Sequence, residues 1–196
     1  MPTAFLERWL EEVVREPGAT AIADIGEARR FLLDDALRAV PIVRSAPGPV
    51  VDVGSGGGTP GIPLATALPA RAFTLLEAER RKCDFLERVS AELPNAEVVC
   101  GRAEEQRTDA FGVALAKALA KPPVAAELCL PLVRPGGIAI LWVGESADLD
   151  RVARVAGQLA GRLEDADDGL VVLRKVAPTP LGFPRRPGMP KKRPLA

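Results

Sequence analysis

The sequence predicts an α/β fold, a doubly wound and mostly parallel sheet behind a helical cap. Three observations carry that expectation. After Pro49, short apolar runs alternate with helical patterns as far as Val176. The runs are continuous in Val, Ile and Leu rather than alternating with polar residues, as a sheet covered on both faces requires. The first run, VVDV, leads straight into GSGGGTPG, at the strand end where such sheets hold their ligands. With 196 residues and 47% hydrophobic content, the chain can bury one substantial core.

The elements follow in order. Phe5, Leu6, Trp9, Leu10 and Val13 share one face of a helix over Phe5–Val14, which Pro17-Gly18 stops. A second helix is expected from Ile25 to Val40, and Pro41, Pro47, Gly48 and Pro49 mark a boundary, so residues 1–45 read as a cap. Strands are expected at Val50–Val53, Ala72–Glu77, Glu97–Cys100, Phe111–Ala116, Ile138–Val143 and Leu170–Val176. The helices between them are expected at Gly61–Leu68, Glu79–Leu93, Val124–Val133 and Ala147–Leu159. Residues 46–177 form the α/β body, and 178–196 form a tail.

Composition removes several chemistries. The chain has no histidine and no tyrosine, which excludes a Ser-His-Asp or Cys-His centre and most transition-metal sites. Cys83, Cys100 and Cys129 are widely spaced and odd in number, which argues against a disulfide framework or a zinc site; buried small hydrophobes are expected. No apolar run has the length of a membrane helix, and the charged, amphipathic first segment differs from a signal peptide, so a cytoplasmic location without membrane attachment is expected. The formal net charge is zero, yet Val171 to Ala196 holds seven Lys or Arg and no acid. The proline-rich tail should therefore be extended, either as a solvated segment or as a contact for anions or nucleic acid through Arg185, Arg186, Lys191, Lys192 and Arg193.

The glycine turn admits three readings. A phosphate-binding loop needs a lysine after the glycines, and none follows. A dinucleotide fingerprint through Gly56, Gly58 and Gly61 starts late and puts Pro60 and Pro63 in its helix. The third pattern, Asp52-x-Gly54-x-Gly56-x-Gly58, places an acid at the strand end and suits a cofactor with positive charge and no pyrophosphate. S-adenosylmethionine has that chemistry. Glu77, ending the next strand 23 residues beyond Gly54, suits ribose hydroxyls in either S-adenosylmethionine or a nicotinamide cofactor, so the nicotinamide reading stays open here. Ala103-Glu104, after the third strand, falls where an adenine edge would lie.

The stretches DVGSGGGTPGIPLA, LLEAERRKCDFLERV, VVCGRAEE and FPRRPGMPKKRPL together resemble the bacterial 16S rRNA guanine-N7 methyltransferases of the RsmG (GidB) family. The resemblance runs from about Arg30 to Leu195, and TPGIPLA is its most specific part. It implies a seven-stranded class I S-adenosylmethionine-dependent methyltransferase fold. It also implies methyl transfer to N7 of a guanine in 16S rRNA of the small ribosomal subunit. On the matching positions, Gly54 and Thr59 would flank the methionine end of the cofactor, and Ala103 and Glu104 would meet adenine. Lys117 stands where the family has an arginine beside cofactor and substrate. Arg30 and Asp34 match its Arg-His-x-x-Asp-Ser segment.

The chain departs from the family at four positions that the resemblance puts on the substrate side. Phe31 replaces a histidine, Gly112 an aspartate and Val143 a lysine, while Lys117 loses the planar fork of arginine. These motivate two alternatives, a paralogue acting on another RNA or a small molecule and a non-catalytic RNA-binding or ribosome-assembly factor. Guanine N7 carries a free lone pair and loses no proton on methylation, so alignment suffices and a histidine-free chain fits. With only two Trp and six Phe, no aromatic-rich stacking surface is expected. The chain is expected to be a monomer.

Overall fold

The computed structural model describes residues 2–195. Helix α1 spans Pro2–Arg15 and turns Trp9, Leu10 and Val13 inward, each at most 1% exposed. A second helical run, α2 (25–37), starts as an α-helix capped by Asp24, which accepts from the Glu27 amide at 2.8 Å. It widens to π geometry over Arg29–Asp34 and closes over Asp35–Leu37. Helix α3, Val40–Ser45, follows at once. Pro41 was expected to follow the end of the second helix; it sits in the first turn of α3, where its missing N–H leaves no hydrogen bond unmade.

The sheet holds β1 (Val50–Val53), β2 (Phe73–Glu77), β3 (Ala96–Cys100), β4 (Phe111–Ala116), β5 (Val133–Trp142), β6 (Gly161–Asp167) and β7 (Leu170–Lys175). Their spatial order is β3-β2-β1-β4-β5-β7-β6. Strands β1 to β5 are parallel, and β7 runs antiparallel between β5 and β6. Helices α4 (Gly61–Ala67), α5 (Arg80–Val89), α6 (Pro122–Cys129) and α7 (Leu149–Gln158) cover the two faces. Every residue of β1 and β2 is buried, which is why those runs are uninterrupted. Sequence reasoning located six strands and missed β6. Its sequence, GRLEDAD, is charged and mostly exposed because β6 is an edge strand.

Order reverses between β1 and β4, so their C-terminal ends open a crevice. The cap is welded beside it. Phe5, Trp9, Leu10 and Val13 share one apolar cluster with Leu32 and Leu33 of α2, Ile62, Leu75 and Phe85. Trp9 also donates its indole N–H to the Gly57 carbonyl at 2.9 Å, fixing the cap to the glycine turn.

Two expectations need correction. Cys83 and Cys100 form a disulfide with Cα atoms 5.7 Å apart, and only Cys129 is a free buried thiol. They are 17 residues apart, but parallel pairing of β2 with β3 sets Cys100 beside Glu77, near the start of α5. The tail, moreover, is folded back onto the body. Buried Lys175 donates to the Leu130 carbonyl at 2.9 Å and to Thr179 Oγ1 at 2.7 Å, while Asp109 accepts from the Thr179 amide and hydroxyl. Phe183 and Leu195 pack on the main core, and a short helix α8 (Met189–Lys192) buries Pro190.

Candidate active site

Two adjoining cavities open at the carboxyl ends of the parallel strands. The first, of about 440 Å³, is lined by Gly54, Ser55, Gly56, Gly57 and Thr59 from the turn after β1. Glu77 ends β2 and Ala78 follows it, Gly101 to Glu104 follow β3, and Lys117 to Leu119 follow β4. Ala19, Thr20 and Ala21 close one side, and Gly188 and Lys191 of the tail close another.

The turn is a cradle that side chains would fill. Gly54 (φ +72°) and Gly56 (φ +55°) take left-handed backbone, and a Cβ on Gly54 would collide with Leu119. Glu77 braces it: one carboxylate oxygen accepts from Gly56 N at 3.0 Å, and the other accepts from Ala78 and Glu79 N at 2.7 and 2.9 Å. Glu77 is 8% exposed and still borders the cavity, with one carboxylate lone pair left unused by these three donors. Thr59 donates to the Leu32 carbonyl at 2.7 Å, tying the turn to α2.

Of the residues expected at the cofactor, Gly54, Gly56, Thr59, Glu77, Ala103, Glu104 and Lys117 border this one cavity. Asp52 and Gly58 do not. Asp52 lies sealed behind the turn, accepting from Ser55 Oγ at 2.7 Å and Gly61 N at 2.9 Å with the same oxygen. Its other oxygen has no hydrogen-bond partner among the described residues. Burial pushes its pKa up to about 7, against the lowering effect of the two donors, so this acid is a brace and not a charge aimed at a ligand. Gly58 (φ +97°) shapes the turn instead, where a Cβ would run into Ile62.

The second cavity, of about 740 Å³, shares only Lys117 and Ala118 with the first. Its walls include Phe31, Asp35, Arg38, Trp142, Val143 and Glu145. Lys117 is ion-paired with Asp35 and stands 5.8 Å from the centre of the Trp142 ring, whose N–H reaches the Asp35 carbonyl at 3.3 Å. Ala118 holds φ +53°, a strained choice for a residue with a Cβ, at the point where the cavities meet.

Three of the four family departures, Phe31, Lys117 and Val143, therefore belong to one cavity. Gly112 does not: it lies early in β4, where a Cβ would collide with the Pro47 carbonyl and stand 3.0 Å from Gly48 Cα. That glycine is a packing requirement. Asp34 is exposed, and its neighbour Asp35 is the acid that faces Lys117. Nothing in the local sequence marks Asp35, Trp142 or the 19–21 loop; only the fold brings them in.

The expected RNA contacts divide. Arg30 is exposed with its guanidinium 5.7 Å from the Phe31 ring centre, and Arg186, Lys192 and Arg193 are exposed. Arg185 is engaged within the fold. Its fork grips Glu127, which is 2% exposed, at 2.6 and 2.7 Å, and also donates to the Arg193 carbonyl. Lys191 borders the first cavity, and the neighbouring Gly188 N donates to Glu104 at 2.9 Å.

A β3-β2-β1-β4-β5-β7-β6 sheet with its glycine turn after β1 is the class I S-adenosylmethionine-dependent methyltransferase fold. Solved structures agree at the level of fold. M. jannaschii TYW2 in complex with AdoMet superposes with a TM-score of 0.55 and 16% identity, over 71% of each chain. A T. thermophilus 16S rRNA N2 methyltransferase in complex with AdoMet and guanosine gives 0.54 and 16% identity, over 77% of this chain and 41% of that one. Within that class the chain belongs to the GidB family, rRNA small subunit methyltransferase G, whose model matches residues 6–156. It is 38% identical to the ribosomal RNA small subunit methyltransferase G of Synechococcus sp. (strain JA-3-3Ab), over 78% of this chain and 66% of that protein's length. The protein of the same name from Rubrobacter xylanophilus is also 38% identical, over 92% of this chain and 75% of its own length.

Proposed function

We propose that this chain transfers the methyl group of S-adenosylmethionine to N7 of a guanine in 16S rRNA. The observation that carries the reading is the first cavity, built on a glycine turn braced by Glu77, in a chain of this family. Gly54, Gly56 and Thr59 would hold the methionine portion, Glu77 the ribose, and Ala103 and Glu104 the adenine. When bound, the cofactor supplies an electrophilic methyl group on a sulfonium.

The chain's own residues align and shield. Leu119, Leu128 and the 19–21 loop wall the first cavity, and Lys117 sits where it meets the second. The chain has no histidine, and N7 needs no base. Residues 1–45 serve as a cap, 46–177 as the catalytic body, and 178–196 as a docked tail that completes the cofactor wall. The substrate is the RNA of the small ribosomal subunit, met in the cytoplasm by a monomeric enzyme. No described helix is long and apolar enough to cross a membrane.

Calorimetric titration with S-adenosylhomocysteine tests the cofactor step. Binding to the natural chain and its loss in Gly54→Arg are expected, because the new side chain enters the Leu119 contact and the cavity together. A natural chain that binds nothing, while still holding RNA, would favour the non-catalytic alternative.

A further inference from the structure

We infer that Cys83 and Cys100 are a reversible dithiol–disulfide site, open to low-molecular-weight thiols, that sets how tightly the first cavity holds its cofactor. The inference rests on the methyl-transfer reading above and adds a chemical control over the same cavity.

The pair brackets the segments that reach the cavity. Cys83 directly follows Lys82, and Cys100 directly precedes Gly101 to Glu104; Lys82 and that whole segment line the first cavity. Glu77, proposed for the ribose, touches both ends of the bridge. Its carbonyl accepts from Gly101 N at 2.8 Å and lies 3.3 Å from Cys83 Sγ. The disulfide therefore pins the first turns of α5 to the C-terminal end of β3, and so holds the ribose and adenine segments at one spacing. Without it, hydrogen bonds alone keep residues 101–104 in register with Glu77. A cavity preorganised by a covalent tie loses less freedom when its ligand arrives and binds it more tightly.

Both oxidation states fit the site. Cys100 ends the edge strand β3 and is exposed, which gives a small thiol its approach, whereas Cys83 is fully buried. The thiolate of such a reagent bonds to Cys100 Sγ as the bond to Cys83 breaks. Cys83 leaves with the electron pair and takes up a proton. A second thiol then attacks the mixed disulfide, releasing Cys100 as a thiol and the reagent as its own disulfide. Two electrons and two protons thus pass to the protein, and a low-molecular-weight disulfide reverses each step. The freed Cys83 thiol finds its acceptor already in place at the Glu77 carbonyl, so reduction strands no buried donor. In the cytoplasm proposed above, thiols are kept reduced and a disulfide is usually transient, which suits a sensor better than a fixed staple. Cys129, buried and free, takes no part.

The test equilibrates the folded full chain in buffers running from reduced to oxidised glutathione. Thiols are then trapped by acid quenching, unfolding and alkylation with a mass tag. All three cysteines should be tagged at the reducing end, and Cys129 alone at the oxidising end. S-adenosylhomocysteine affinity, titrated in the same buffers, should follow the same curve and be at least about threefold weaker in the dithiol form. Cys100→Ser should bind at the dithiol value in every buffer, which separates the bond itself from any other effect of glutathione. Three tags in every buffer, a bridge that is reduced only when the chain unfolds, or equal affinity in the two states would overturn the switch. A chain that fails these tests yet methylates 16S rRNA loses the switch alone; one that binds no S-adenosylhomocysteine in either state loses the functional reading with it.

Discussion

Asp52 and Lys175 show how single residues are misjudged by type and corrected by surroundings. Both are buried charged groups that hold chain segments together rather than meeting a ligand. Because burial raises Asp52 to about 7, the folded state binds a proton more tightly than the unfolded chain. Its stabilising contribution is complete below the ordinary carboxylate value and is lost as pH rises from there through about 7. Between about pH 5 and pH 8 this amounts to about 2–3 kcal/mol, at roughly 1.36 kcal/mol per pH unit. Urea unfolding at the two pH values should therefore show a fall in stability that Asp52→Asn flattens; an equally steep fall in that variant would contradict the assignment. The glycines were legible because left-handed backbone and close approach leave a direct mark on sequence. Asp35 and Trp142 were not, since an acid on a helix and an aromatic at a strand end look the same with or without a cavity beside them.

At the scale of elements, the tail departs most from expectation. Prolines and basic residues describe an extended RNA clamp, and the order of residues cannot reveal that Arg185 meets an acid 58 positions earlier. Arg185→Ala should leave Glu127 buried without its partner, costing about 3 kcal/mol of tail docking. Limited proteolysis should then cut between residues 178 and 195 much faster, and S-adenosylhomocysteine should bind more weakly as Gly188 and Lys191 leave the cavity wall. Adding Glu127→Leu should restore most of the protection, since it removes the orphaned charge. Unchanged proteolysis in Arg185→Ala would show that Lys175, Thr179 and Phe183 anchor the tail unaided. Strand β6 has the same lesson in reverse: an edge strand needs no apolar run, so its charged residues carry no periodicity to find.

At the scale of the molecule, the parallel half of the sheet was readable because burial on both faces forces continuous apolar strands, and the glycine turn located the ligand end. The antiparallel edge and the joining of two cavities were not, as both arise from tertiary placement. Replacing the exposed Arg186, Lys192 and Arg193 together with Ala should weaken RNA binding at every sequence. The salt dependence should fall by about 0.7 for each phosphate that the variant no longer neutralises. S-adenosylhomocysteine affinity should be unaffected, and an unchanged salt slope would place the RNA elsewhere.

The most direct test of methyl transfer to guanine N7 uses labelled S-adenosylmethionine and unmethylated 16S rRNA, supplied naked and in small subunits, followed by digestion and separation of nucleosides. Label is predicted in 7-methylguanosine alone, abolished by Gly54→Arg. Label in any other nucleoside, or none at all despite tight cofactor binding, would contradict it.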